Sequence, residues 1–245
     1  MNRLLQVLSI PLFLGAWEIV SRAGIVNAFL FPPPSTVAQA LFEWGAHGQL
    51  ALDIAMSVSR VVVGFLIGAT AGVVIGIATA RYAALSSLLA PIFQILRPIP
   101  PIALVPIFIL WLGLNEIEKY FLILWAVFFT VWISTHLGVQ RVDPLLIRAA
   151  QALGTPERSM LRELLLPGAL PYIFVGLRTS LSIAFYTLVA AELAGAFAGV
   201  AYRIDIAHEN LRIGLMMAGL VVLGIISACL DATFDAWARR AMRWH

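Results

Sequence analysis

The chain has 245 residues, 61% of them hydrophobic and only 12% charged, with a mean hydropathy of +0.94 and a formal net charge of +3. A soluble domain carries about 25% charged residues to cover its surface, so this composition excludes an ordinary soluble fold and points to a chain built for lipid. The cations are arginines at segment ends, with Lys119 the one lysine, and no basic stripe argues for nucleic acid; the lone Cys229 excludes a disulfide framework, and the four histidines have no ligand spacing.

Crossing a bilayer takes about 20 apolar residues, and six runs are expected to do so. They lie at about 4–20, 58–80, 88–112, 120–138, 171–196 and 213–236. The first contains Glu18 and lacks a small-x-small cleavage site, so it reads as a retained span. After it, Pro32-Pro33-Pro34 precedes Ser35, which is expected to cap an amphipathic helix through Trp44 that lies at the interface. The 58–80 run carries Gly64, Gly68, Gly72 and Gly76, a small residue at every fourth position, which lets another helix approach closely. The 88–112 run holds Pro91, Pro98, Pro100, Pro101 and Pro106. Prolines free carbonyls that lipid cannot satisfy, so a broken helix lining a cavity or buried in protein is expected there.

Between the fourth and fifth runs lies a polar loop, 139–170. Asp143-Pro144 reads as an N-cap followed by the first helical residue, with the helix running to Leu153 and Gly154 following in a left-handed turn. Thr155-Pro156-Glu157 repeats the start signal, with Thr155 as cap, and the second helix is expected to end near Leu166, before Pro167. Ala149, Ala150 and Ala152 keep the first helix thin enough to enter a groove. Placing the N-terminus inside puts Arg3, Arg81, Arg141, Arg148, Arg158, Arg162, Arg239, Arg240 and Arg243 on the cytoplasmic side, and leaves Arg22, Lys119, Arg203 and Arg212 outside with Arg60 near that edge. The loop and both termini are therefore expected in the cytoplasm.

These residues carry a resemblance. Arg148-Ala149-Ala150, then Gly154, then Leu164, Leu166 and Pro167 are similar to the EAA loop of ATP-binding-cassette importer permeases, with Arg148 where that family has glutamate. FPPPSTVAQAL at 31–41, LRPIPPIALVPIFILWLGLNE at 96–116 and LPGALPYIFVGLRTSLSIAFYTLVAAELAGA at 166–196 resemble the nitrate, sulfonate (taurine) and bicarbonate branch, among the binding-protein-dependent transport system inner-membrane components. The resemblance implies an all-α membrane protein of the type I importer permease fold, a single domain over 1–245. It implies a coupling loop in which Arg148, Ala149, Ala150, Gly154, Thr155, Leu164 and Pro167 face a dimer of ABC ATPase subunits. It further implies a periplasmic or lipid-anchored binding protein on the outer face, a second permease copy, and residence in the bacterial cytoplasmic membrane. No Gly-Lys-Ser/Thr is present, since Lys119 follows Ile117-Glu118, so ATP and magnesium are expected on the partner ATPase and no cofactor or metal on this chain. The chain is not expected to be an enzyme by itself.

The solute implied is a small oxyanion of the sulfonate, nitrate or bicarbonate type; a vitamin or pyrimidine precursor is the alternative. An ion-coupled secondary transporter is the rival class and would want a relay of intramembrane acids, for which Glu18, Glu192, Asp231 and Asp235 are the candidates. Arg97 and Arg178 sit in apolar surroundings, where arginine is paired, faces water, or snorkels to the membrane edge. Glu192, in AAELAGA, has small neighbours that bring a second helix close, so it should avoid lipid and pair near the outer gate. Arg97, Arg178 and Glu192 are the expected translocation-path or gate residues.

Overall fold

The computed structural model describes residues 2–241, and side chains from 8 to 240. The regular elements among the described residues are all helical: α1 (Asn2–Arg22), α2 (Pro34–Ala46), α3 (Gln49–Arg81), α4 (Ala83–Leu96), α5 (Pro101–Leu112), α6 (Glu116–Gln140), α7 (Pro144–Ala152), α8 (Glu157–Ser159), a π-helical turn (Met160–Leu165), α9 (Leu166–Leu193), α10 (Val200–Glu209) and α11 (Ile213–Ala241). Among the described residues, four helices are long and apolar enough to cross a membrane: α3, α6, the rod Glu157–Leu193 and α11. The bent α4–α5 pair is a broken span or a re-entrant loop, so at most five of the six expected runs are matched by spans; α1 covers the first run without counting among those four helices.

Several expected boundaries move. The 88–112 run is two helices bent by 100°. Pro98 and Pro100 cannot donate to the helical ladder, and proline disfavours helical geometry in the residue before it, so α4 stops at Leu96 and α5 restarts at Pro101. The second run begins nine residues early, because α3 extends from Gln49 through the polar stretch before Val58. Ser35 does not cap α2; Pro33 holds that position with Pro34 at the first helical site, and the Glu18 carboxylate of α1 takes the Ser35 N–H at 3.1 Å. α10 was not anticipated at all.

The chain divides into two compact units. The first comprises Met1–Ser57 and Phe197–Ile226. Its core gathers Trp44, Val200, Ala207, Leu215 and Val222. Asp53, 1% exposed, knots it: Oδ2 accepts from Trp44 Nε1 and from Arg203, each at 3.0 Å, and Oδ1 accepts from the Gly199 N–H at 2.9 Å. Ser57 Oγ accepts the Val200 N–H at 2.9 Å. These two α3 side chains thus satisfy orphan donors at the start of α10, which is why a segment with so little apolar periodicity forms a helix.

The second unit comprises Val58–Ala196 and Ser227–His245, and it is organised around α6. The α3 glycines do what their spacing predicts. A Cβ at Gly64 would lie 2.7 Å from Ile123 Cβ, at Gly68 2.8 Å from the Leu124 carbonyl, at Gly72 2.9 Å from the Phe128 carbonyl, and at Gly76 2.7 Å from Thr135 Cβ. Backbone meets backbone along the seam, so only glycine fits. α9 meets the other end of α6 the same way, where a Cβ on Gly138 would lie 2.6 Å from Tyr172 Cβ.

Candidate functional site

The hairpin between α6 and the long rod is built from caps. Asp143 Oδ1 accepts the Leu145 N–H at 2.8 Å, with Pro144 at the first helical position, as expected. α7 ends in a paired closure: the Gly154 N–H donates to Gln151 O and the Thr155 N–H to Ala150 O, each at 3.0 Å, with Gly154 at φ +70°. This is a Schellman turn, and it requires the left-handed glycine the sequence placed there. Thr155 therefore closes α7 through its backbone and does not cap the next helix. Pro156 holds the cap position of α8, with no side-chain cap bond, and Glu157 opens the helix.

The second loop helix does not stop before Pro167. It continues as one 37-residue rod from Glu157 to Leu193. Proline in a helix removes a donor and clashes with the carbonyl four residues back. The wider π-helical turn at Met160–Leu165 directly precedes Pro167 and relieves that conflict. The loop proper is thus shorter than 139–170, spanning the residues between Gln140 and Glu157.

The hairpin has two faces. Ile147 and Ala150 of α7, with Leu161 and Leu164 of the rod, pack on a core of Val139, Val142, Met160, Leu165, Ala169 and Ile173. Arg148, Ala149 and Gly154 point away and are exposed. Leu145, Leu146 and Leu153 are 69%, 52% and 85% exposed on the same small helix. Exposed leucines on α7 and at its C-cap, together with the exposed Arg148, form a surface suited to a partner. Arg81, at the end of α3, pairs with Glu157 and ties the hairpin to the bundle. Arg141 stacks over the Tyr172 ring at 5.7 Å.

At the opposite end of the same unit lies a buried charge cluster. Arg60 of α3 is 0% exposed. Its Nε and Nη2 grip both oxygens of Glu116 at 2.6 and 2.7 Å, and its Nη1 donates to Glu192 Oε1 at 2.7 Å. Glu116 opens α6 and Glu192 lies one residue before the end of α9, so a single guanidinium joins three helices. Glu192 is itself 1% exposed, away from lipid as its small neighbours required. Its partner, however, is Arg60 in the same chain. Sequence reading placed Arg60 at a membrane edge and gave it no task; the signal available was a lone arginine one turn before the glycine seam. Beside the cluster, Lys119 donates to Asn115 O at 2.9 Å and to Glu118 at 3.3 Å, and both side chains are buried. Asn115 caps α6, accepting from Ile117 N at 2.8 Å.

The other two expected path residues stand apart. Arg178 is 53% exposed and doubly paired, with Asp231 at 2.9 Å and Asp235 at 3.3 Å on α11. Two of the acids expected for a proton relay are therefore spent on one guanidinium, and Asp235 also holds Arg239. Arg97 is the residue at which α4 ends and the 100° break begins, and its side chain is exposed. Among the described residues no ion pair joins Arg97 to an acid.

This combination of a bent span, a buttressed hairpin and a long rod defines an all-α membrane permease of the type I importer fold. A chain of the MetNI methionine ABC transporter, solved in an inward-facing conformation, matches with a TM-score of 0.64 at 18% identity, covering 78% of this chain and 95% of that one. An amino acid ABC transporter solved with histidines matches with a TM-score of 0.61 at 15% identity, over 84% of this chain and 98% of that one. The model of the family described as binding-protein-dependent transport system inner membrane component matches residues 64–243, and the chain belongs to that family. The aliphatic sulfonates transport permease protein SsuC of Bacillus subtilis is 34% identical over 93% of this chain and 83% of its own length. The taurine transport system permease protein TauC of Escherichia coli is 34% identical over 98% and 90%, and the bicarbonate transport system permease protein CmpB of Synechocystis is 29% identical over 89% and 81%. The protein is a multi-pass membrane permease subunit of an ABC importer, not an enzyme on its own.

Proposed function

We propose that this permease imports a small oxyanion of the sulfonate, taurine or bicarbonate kind, with Arg97 as the cation that meets it. The observation carrying this reading is Arg97 itself: an exposed arginine at the 100° break between α4 and α5, with no ion pair to an acid among the described residues. Broken helices at membrane depth are tolerated where they line a cavity or lie buried in protein, and transporter sites use such breaks. Arg178 carries two carboxylates, so its charge is already balanced and it serves the path wall instead of the solute. The solutes named for the similar permeases share an oxyanion group, which agrees with a free guanidinium.

In this reading the α7 hairpin lies in the cytoplasm with both termini, following the arginine bias. Arg148, Ala149 and Gly154 meet an ABC ATPase dimer that binds ATP and magnesium, while Ala150, which packs inward on the hairpin core, braces it with Thr155, Leu164 and Pro167. A binding protein delivers solute to the outer face, and two copies of the chain enclose one path. Glu192 belongs to the outer gate.

The test is uptake into proteoliposomes holding the complete importer and its binding protein. Taurine or another alkanesulfonate, bicarbonate and a neutral vitamin precursor are compared. Arg97→Gln is expected to lower anion uptake by about tenfold, equivalent to about 1.4 kcal/mol, with assembly intact. Full anion uptake by Arg97→Gln, or uptake of the neutral solute alone, would remove the anion reading.

A further inference from the structure

We infer that Arg60 is the positioning residue of the outer gate: it latches the ends of α6 and α9 to α3, and the latch must open for solute to enter. The inference deepens the gate role proposed for Glu192 and is independent of which solute is carried.

Two different kinds of contact hold the second unit together. Along α3, from Gly64 to Gly76, and along α6 from Tyr120 to Thr135, the helices touch through glycine in close steric contact. Such a contact has one arrangement, because parting it opens a void and nothing refills it. One turn before Gly64, α9 reaches α3 through the Arg60 guanidinium, whose Nε and Nη2 donate to Glu116 and whose Nη1 donates to Glu192. Charged groups have an alternative partner in water, so an ionic contact separates without leaving a void. It therefore suits an element with two discrete states.

Its neighbours fit that use. Glu116 keeps 38% of its side chain accessible while Arg60 and Glu192 have none, so the latch has one accessible edge, on Glu116. Glu116 also follows the short turn out of α5, so the latch sits one turn of chain away from the broken span that carries Arg97. Directly beneath, Ala191, 0% exposed, packs with Val105, Phe108 and Leu122 in an apolar plug drawn from α5, α6 and α9. Releasing α9 from Arg60 would uncover this plug.

The experiment uses the assembled importer in nanodiscs without solute, with Cys229→Ser and Ala191→Cys as a reporter background. Arg60→Gln, Glu192→Gln and the double variant are compared with the parent for basal ATP hydrolysis, for labelling by a water-soluble maleimide, and for thermal melting. Each single variant is expected to raise both basal hydrolysis and labelling several-fold, the double variant no further than the larger single one, and Arg60→Lys to recover part of the closure. If Arg60→Gln fails to assemble, Glu192→Gln decides alone, since its amide retains a hydrogen bond. Variants that melt like the parent and show its labelling rate and basal hydrolysis overturn the latch. Because no solute is present, that result would leave the anion reading standing, and unchanged anion uptake in Arg97→Gln would leave the latch standing.

Discussion

The two ends of the second unit are joined by opposite chemistries. α6 is clamped by glycines against α3 from Tyr120 to Thr135, and at the hairpin end by Gly138 against Tyr172 of α9 with the apolar core around Val139 and Val142. At the other end, three helices converge on Arg60 and its carboxylates. The difference teaches where such a fold can give: close-packed seams hold one arrangement, whereas an ionic junction has water as an alternative partner, which is what the proposed coupling and gate roles require. Steric seams are single-valued; ionic knots are exchangeable.

The comparison breaks most visibly at the seam. Gly72→Val would set a Cβ 2.9 Å from both the Phe128 carbonyl and Val131 Cβ, against backbone that has nowhere to move. Overpacking of this kind costs about 1–3 kcal/mol and, where backbone is displaced, more. The expected result is a large fall in melting temperature and in the yield of folded permease, whereas Glu192→Gln leaves the melting temperature nearly unchanged. Equal melting of the two variants would erase the distinction between the ends.

A smaller effect is expected at the elbow. Gly154 has open space around it, so a side chain there meets no atom within 4 Å, and only its φ of +70° resists substitution. A left-handed β-branched residue costs about 1–2 kcal/mol, confined to the hairpin. Gly154→Val should insert and fold normally, yet stimulation of ATP hydrolysis by loaded binding protein should drop. Undiminished transport by this variant in proteoliposomes would show that the elbow geometry is not needed for coupling.

The smallest change is expected at Arg148, exposed among the α7 leucines. An exposed ion pair contributes about 0–1 kcal/mol and is screened by salt. Arg148→Glu should reduce co-purification of the ATPase at low salt and much less at high salt. Identical yields under both conditions would assign the docking energy to the leucines instead.

Much of this was legible in the chain because the cues were local. Hydropathy marks the spans, since the bilayer judges each segment by itself. Asp143-Pro144 and Gly154 specify the hairpin through bonds that reach only a few residues. The glycine spacing announces a seam, although not that α6 is its partner. Thr155 and Pro167 were misread for the same reason. Whether a cap closes the helix behind or opens the one ahead, and whether a proline ends a helix or is absorbed by a π-helical turn, depends on what the rod packs against.

Composition, hydrophobic runs and local cap signals determined a helical membrane chain with a hairpin between its spans; its place among permeases rests on the family match. Tertiary structure alone decided which charges meet. Arg60 finds Glu116 56 residues away and Glu192 132 away, while Arg178 finds Asp231 53 away. No short-range rule links such positions. An arginine's free energy inside a membrane protein depends on which acid the fold delivers to it, and that is fixed only once the helices have packed.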